Sequence, residues 1–214
     1  MLDVHPPHGA THSWRDFFIH IVTITIGLLI ALSLEGTVEW LHHRHIVHEA
    51  RENIRREIEQ NDKAAKENLG YLQENIDNVD ANVVKIRSLR TDKNALNNSE
   101  LLFRFRWSDL SDSAWRSARD TGALALMPTE EVTRYAESYG LQELALHQEV
   151  TTLVYETELA APLMVEKDPA ALNPEDVHEL LKGAAITTIR LSTLKQLVMQ
   201  LEKSYAELLQ KQAA

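Results

Sequence analysis

His42, His45 and Glu49 lie three and four residues apart, so on a helix they share one face, with His48 beside it. Two neutral imidazoles and a carboxylate at that spacing can ligate Zn²⁺ or another divalent ion. A single exposed helix supplies too few ligands for a closed site, and the same residues also suit a polar collar at a lipid surface. His5, His8 and His12 form a second, looser cluster. A different grouping is Trp115, Arg116, Arg119 and Asp120. Its two guanidiniums can hold a carboxylate or phosphate bidentately. The competing reading makes Trp115 part of the core and pairs the arginines with surface acids. Tyr135, Tyr139 and Tyr155 either add polar tips to a cavity between helices or pack as core.

Catalytic signatures are missing. The chain has no Gly-rich phosphate loop, no G-x-S-x-G turn and no H-E-x-x-H pair. Glu130 and Glu131 read as helix-start acids, and His147 and His178 have no evident nucleophile or metal partner. Zero cysteines exclude a disulfide framework, a thiolate metal site and a cysteine nucleophile. The expectation is a non-enzymatic protein without a cofactor.

The elements that must position these groups begin with Phe17 to Leu34, FFIHIVTITIGLLIALSL, whose one ionisable group is His20. As a helix it covers about 27 Å, close to the roughly 30 Å hydrocarbon core of a bilayer. Trp14 and Trp40 bracket it about 39 Å apart along a helix, at the spacing of the two membrane interfaces that indole rings prefer. The segment is apolar all round, unlike the one-sided stripe of a surface helix. A secretory leader is the competing reading, with Ala31-Leu32-Ser33 as its cleavage site, but the n-region carries only Arg15 beside Asp16. His20 and Glu35 sit near the ends of the span, where ionisable groups snorkel to the interface. Thr23, Gly27 and Ala31 recur every four residues and form a small-residue face on which a second helix can pack closely. Arg44, Arg51, Arg55 and Arg56 outnumber Arg15 across the span, which leans the C-terminal part to the cytoplasm.

Beyond Trp40 the pattern stays helical. Neither Pro nor Gly occurs from Leu41 to Asn68, and Ile58, Ala65, Leu69, Leu72, Ile76, Val79, Val83 and Ile86 follow heptad spacing. Gly70 offers a break and Asp62 a polar interruption of that seam. RTDKNALNNS, residues 90–99, reads as a loop, and the isolated LLFRFRW after it as a helical turn or extended packing segment. A short helix follows, capped by Ser108 or Ser111 and ended by Gly122, with Ala114, Trp115 and Ala118 inward. Pro128-Thr-Glu-Glu opens a long helix with the stripe Val132, Tyr135, Tyr139, Leu146, Val150 and Leu153, and Pro162 ends or kinks it. Ala184, Thr187, Leu191, Leu194, Val198, Leu201, Tyr205 and Leu208 make the last seam. Few glycines and prolines and only 6% aromatics agree with this all-α reading: an N-terminal transmembrane helix continuing into an antiparallel three- or four-helix bundle.

Ile26 to Leu32, IGLLIAL, followed by Trp40, resembles the anchor of a group of small bacterial membrane proteins of unknown function with a helical domain. Ala114-Trp115, Thr121-Gly122-Ala123-Leu124 and the helix bearing Tyr135 and Tyr139 resemble the same group, so the likeness covers most of the chain loosely. It implies an architecture, not a reaction. Such relatives carry a basic N-terminus, whereas this chain has a histidine-rich one.

The organisation expected is a histidine-rich tail, 1–13; an anchor, 14–40; and a bundle, 41–214. The 214 residues carry a net charge of −10, with 22 basic and 32 acidic side chains. Residues 57–214 hold 17 of the former and 26 of the latter, a balance of −9 that repels phosphate backbones and argues against nucleic-acid binding. Two main functions fit. One is a scaffold or accessory subunit in the bacterial inner membrane, whose partners are the bilayer and either a second copy or a larger membrane complex. The other is a module that senses a small ligand in a bundle cavity. A juxtamembrane metal-binding protein is the third.

Overall fold

The computed structural model describes residues 14–93, 95, 101, 104–159, 161, 163, 168 and 171–212. The histidine-rich tail with His5, His8 and His12 lies outside them, as does Pro162. Among the described residues four α-helices follow in order: α1 (Trp14–Ser88), α2 (Ser113–Asp120), α3 (Thr129–Leu159) and α4 (Pro174–Gln212). A short 3-10 turn, Ala123–Leu126, joins α2 to α3, and no strand occurs among the described residues.

The chain divides into two compact units, residues 1–48 and 49–214, about two helical turns beyond the Trp40 boundary expected from sequence. In the first unit α1 is the one helix long and apolar enough to cross a membrane among the described residues. None of that apolar window is buried within the protein. The hydroxyls of Thr23, Thr25, Ser33 and Thr37 donate to the carbonyls of Ile19, Ile21, Leu29 and Ser33 at 2.7–2.8 Å. These four hydroxyls are thus satisfied within the helix itself.

In the second unit three long helices pack. α3 runs parallel to α1, since Arg51 pairs with Glu131 and Asn61 meets Gln142. α4 runs antiparallel to both: Lys66 faces Glu202, Lys195 donates to Gln73, and Ser138 bonds Ser204. Two parallel neighbours need a return between them. That return is made by residues 104–112, an extended strap that descends along α1, as Arg106 meets Glu74, Ser108 meets Asn68 and Ser111 meets Asn61.

The strap is held by side-chain amides. Asn68 Nδ2 donates to the Ser108 carbonyl at 2.8 Å, while Ser108 N–H donates to Asn68 Oδ1 at 2.6 Å. Asn61 repeats the pair on Ser111, at 2.6 and 2.9 Å. Each asparagine replaces the strand neighbour that an extended peptide would otherwise lack. Asn61, Asn68, Asn75 and Asn82 recur every seventh residue and are 2%, 0%, 1% and 3% exposed. They occupy one heptad position, and Ile58, Ala65, Leu72, Val79 and Ile86 fill the other. Seven residues of helix advance about 10.5 Å and three of extended chain about 10 Å, which matches the spacing of the Asn61–Ser111 and Asn68–Ser108 rungs.

Several local expectations change here. Leu69, Ile76 and Val83, expected in the seam, are half-buried, because the asparagines take the inner position. Gly70 does not break α1; it is exposed, and tertiary packing on both sides of it outweighs its low propensity. Asp62 makes a polar contact, 2.7 Å to Lys66. On α3, Val150 and Leu153 face solvent while Ser138, Gln142, Thr152 and Glu156 are buried. The α4 seam from Ala184 to Leu208 is buried throughout. Gly122, with φ 76°, adopts the left-handed conformation that ends α2 and that other residues resist.

If the amide pairs hold the strap, Asn68→Ala should cost about 2–3 kcal/mol, since it strands a buried peptide group. Both amide atoms of Asn75 are buried without a partner, so Asn75→Ala should cost clearly less. Urea unfolding followed by helical circular dichroism compares the two; equal losses would remove the ladder as the strap's anchor.

Candidate functional site

The strap delivers α2 to the flank of α3, and a cleft of about 380 Å³ opens between them. Trp115, Arg116 and Arg119 contribute from α2, and Tyr139, Gly140 and Glu143 from α3. The sequence-level grouping of Trp115, Arg116 and Arg119 therefore does converge on one concavity. Trp115 is half-buried and stacks on Tyr139, with ring centroids 5.2 Å apart and planes 11° from parallel. Tyr135 lies behind it at 6.3 Å. Gly140 deepens the cleft: a Cβ there would meet nothing within 4 Å.

The arginines match the competing sequence reading. Arg116 reaches Asp112 at 3.0 Å and Arg119 reaches Asp120 at 3.2 Å, and all four side chains are well exposed. Exposed pairs of this kind are worth little, so the guanidiniums can exchange these partners for an arriving anion at small cost. With Asp112 and Glu143 also lining it, the cleft carries no net positive charge.

Behind the aromatic wall is a group that sequence reasoning missed. Glu57 of α1 is 6% exposed and accepts five hydrogen bonds. Its Oε2 takes the hydroxyls of Ser111 and Ser113 at 2.8 and 2.9 Å and the Ala114 N–H at 2.8 Å. Its Oε1 takes the Tyr139 hydroxyl at 2.7 Å and the Trp115 N–H at 3.3 Å. The expected caps, Ser108 and Ser111, are not the N-cap of α2. Asp112 holds that position without a side-chain cap bond, and Glu57 satisfies the first amides from another helix. Burial opposes its charge, but the bonds from Ala114, Tyr139, Ser111 and Ser113 outweigh burial and hold the carboxyl below its ordinary range. Burial, reinforced by Glu57, pushes the Tyr139 hydroxyl up, so it stays a donor. Gln142 extends the network. Its Oε1 accepts from Tyr205 at 2.5 Å and from Asn61 at 3.2 Å, and its Nε2 donates to the Ser111 carbonyl at 3.0 Å.

The other sequence candidates are not drawn together. Among the described residues no three His, Asp or Glu side chains are grouped to hold a metal ion. The His42 and His43 rings lie 6.5 Å apart, and His43 faces Glu39 at 3.9 Å. Thr23, Gly27 and Ala31 form an open face, and a Cβ at Gly27 would meet nothing within 4 Å. Trp14 and Trp40 are exposed, with the Arg44 guanidinium 5.2 Å over the Trp40 ring. His147 and His178 lie on α3 and α4, outside the cleft. No family model, curated protein or solved structure matches this chain.

Glu57→Gln should lower stability at pH 7 by about 2 kcal/mol, because bonds to an ionised acceptor are the stronger ones. A folded-state pKa below the unfolded one stabilises above the carboxylate range, and that stability is lost as pH falls through the folded value. The gap between parent and variant should therefore close as unfolding is measured from pH 7 down to strongly acidic buffer. A gap that does not change with pH would contradict an ionised Glu57.

Proposed function

We propose that the protein is a non-enzymatic, single-pass protein of the bacterial inner membrane whose helical bundle serves as a scaffold or accessory subunit of a membrane complex. The observation that carries this reading is the exposure of every large apolar side chain from Trp14 to Leu41 along α1. At about 25 cal/mol per Å² of apolar surface, such a helix does not stay in water; lipid or another helix covers it. The Thr23, Gly27 and Ala31 face suits the close approach of a second helix, from another copy or from a larger membrane protein. The bundle supports the binding role rather than a chemical one: its buried polar side chains Glu57, Asn61, Asn68 and Gln142 spend their bonds on the strap, α2 and α3. Arg44, Arg51, Arg55 and Arg56 favour a cytoplasmic bundle.

A second reading rests on the Trp115 cleft. A small anion seated against Arg116 and Arg119 would press on α2, whose first amides are tied to Glu57 of α1. The bundle would then act as a sensor coupled to the helix that continues from the anchor.

Native mass spectrometry of the full chain, extracted in mild detergent, tests the first reading. The expected result is a homo-oligomer or a reproducible second polypeptide, with Gly27→Leu weakening the association; a lone monomer in both forms would overturn it. Thermal-shift titration with small carboxylates and phosphate tests the second, and a ligand that saturates the site should raise the melting point of the parent but not of Arg116→Ala/Arg119→Ala.

A further inference from the structure

A second cavity lies where the C-terminal end of α1 meets the N-terminal end of α4, and it is about 730 Å³. Its floor is aliphatic: Leu89, Leu172 and Val177 are 7%, 6% and 4% exposed and belong to one apolar cluster with Ile86 and Leu180. Its rim is basic, formed by Arg90, Lys93 and His178. Successive turn bonds from Leu89, Arg90, Thr91 and Asp92 back to Ile86, Arg87 and Ser88 curl the chain after α1 and set these side chains around the opening.

The rim departs from the charge logic of the rest of the bundle. In a protein of net charge −10, Arg51, Lys66, Arg106 and Lys182 each have a carboxylate within 4 Å. Among the described residues Arg90, Lys93 and His178 have no such partner. Compensation of the α1 dipole does not account for them, because Lys85 and Arg87 already occupy the last turn. Nor is the start of α4 waiting for an anion. Asn173 Oδ1 accepts from the Glu175 and Asp176 amides, and Asp176 Oδ2 takes the Asn173 N–H, a closed capping box.

We propose that this cavity binds an amphipathic monoanion, its aliphatic tail on Leu89, Leu172 and Val177 and its acidic head on Arg90 and Lys93, with His178 beside them. The volume falls in the range of small-molecule sites. The chemistry excludes other classes. A bare phosphate would find no use for an aliphatic floor, and a nucleotide would find no aromatic ring among the described lining residues. An uncharged hydrocarbon would leave the cations unmatched. A free aliphatic carboxylate and the acyl chain and phosphate of an acidic phospholipid share the required chemistry. The inference is independent of the scaffold reading and of the Trp115 cleft.

The test uses the full chain with ¹³C-labelled Leu and Val methyls in nanodiscs of zwitterionic phosphatidylcholine. Octanoate should shift the Leu172 and Val177 methyl resonances saturably, while inorganic phosphate and 1-octanol at equal free concentration should not. Arg90→Gln/Lys93→Gln should weaken octanoate binding by about tenfold or more, with the distant Leu191 and Leu201 methyls reporting an intact bundle. A water-soluble short-chain phosphatidylglycerol, added without octanoate, separates the two sources: the same shifts make the ligand a phospholipid, and their absence makes it a free carboxylate. Octanoate shifts that are absent, matched by 1-octanol, or unchanged in the double variant would overturn the proposal.

Discussion

A carboxylate withdrawn from water stays ionised only where donors replace its hydration. Glu57 meets that demand by recruiting donors from three directions: the hydroxyl of Ser111 in the strap, the Ser113 hydroxyl and two amides at the start of α2, and the hydroxyl of Tyr139 on α3. Each recruitment fixes the place of an element. The amides bring the start of α2 against α1, and the tyrosine fixes the rotation of α3 and with it the ring on which Trp115 stacks. The cleft beside Trp115 is therefore a by-product of how one buried charge is satisfied. Gln142 acts as the neutral counterpart one helical turn along, joining Asn61, Ser111 and Tyr205.

What could be read beforehand divides along the same line. The α4 seam was fully legible, because apolar residues at heptad spacing in a helix have few other ways to be buried. Half of the α1 seam was legible for the same reason. The other half was misassigned, since asparagine is expected outside and only its strict spacing at 61, 68, 75 and 82 betrays it. The strap has no periodicity that local reading can use; its conformation is set by amides 40 to 50 residues earlier in the chain. Local pattern places the cap of α2 at Ser108 or Ser111, but Ser111 instead donates to the capping group, Glu57, on another helix. On α3 the apolar residues at 150 and 153 misled in the opposite sense: the heptad positions there are held by Gln142 and Glu156. The Trp115, Arg116 and Arg119 group is visible because it is local to α2; on the α3 side only Tyr139 is, as a tyrosine that can face a cavity, and its pairing with Trp115 is not.

The apolar N-terminal stretch of α1 obeys a different rule. Its hydroxyls bond to its own backbone, and its apolar side chains are exposed, the ring contacts of Trp14 and Trp40 being to near neighbours on the same helix. The bundle is rich in polar contacts between elements that are distant in sequence. One continuous helix, α1, thus changes from an element that asks nothing of the rest of the chain to one that organises all of it. The two surfaces are subject to separate constraints, so substitutions on one have little occasion to couple to the other.

The commensurate repeats of helix and strap also restrict how this protein can vary in length. Removing one residue between Ser108 and Ser111 would move a peptide group off its asparagine. A change of one residue in α1 between Asn61 and Asn68 would rotate the amides about 100° away from the strap, and a change of four would shift them about 6 Å along it. Only paired changes, seven in the helix with three in the strap, keep both in register. Related chains should therefore differ in size by whole rungs, as a zip differs from another by whole teeth, while the connections at either end of the strap absorb any other number.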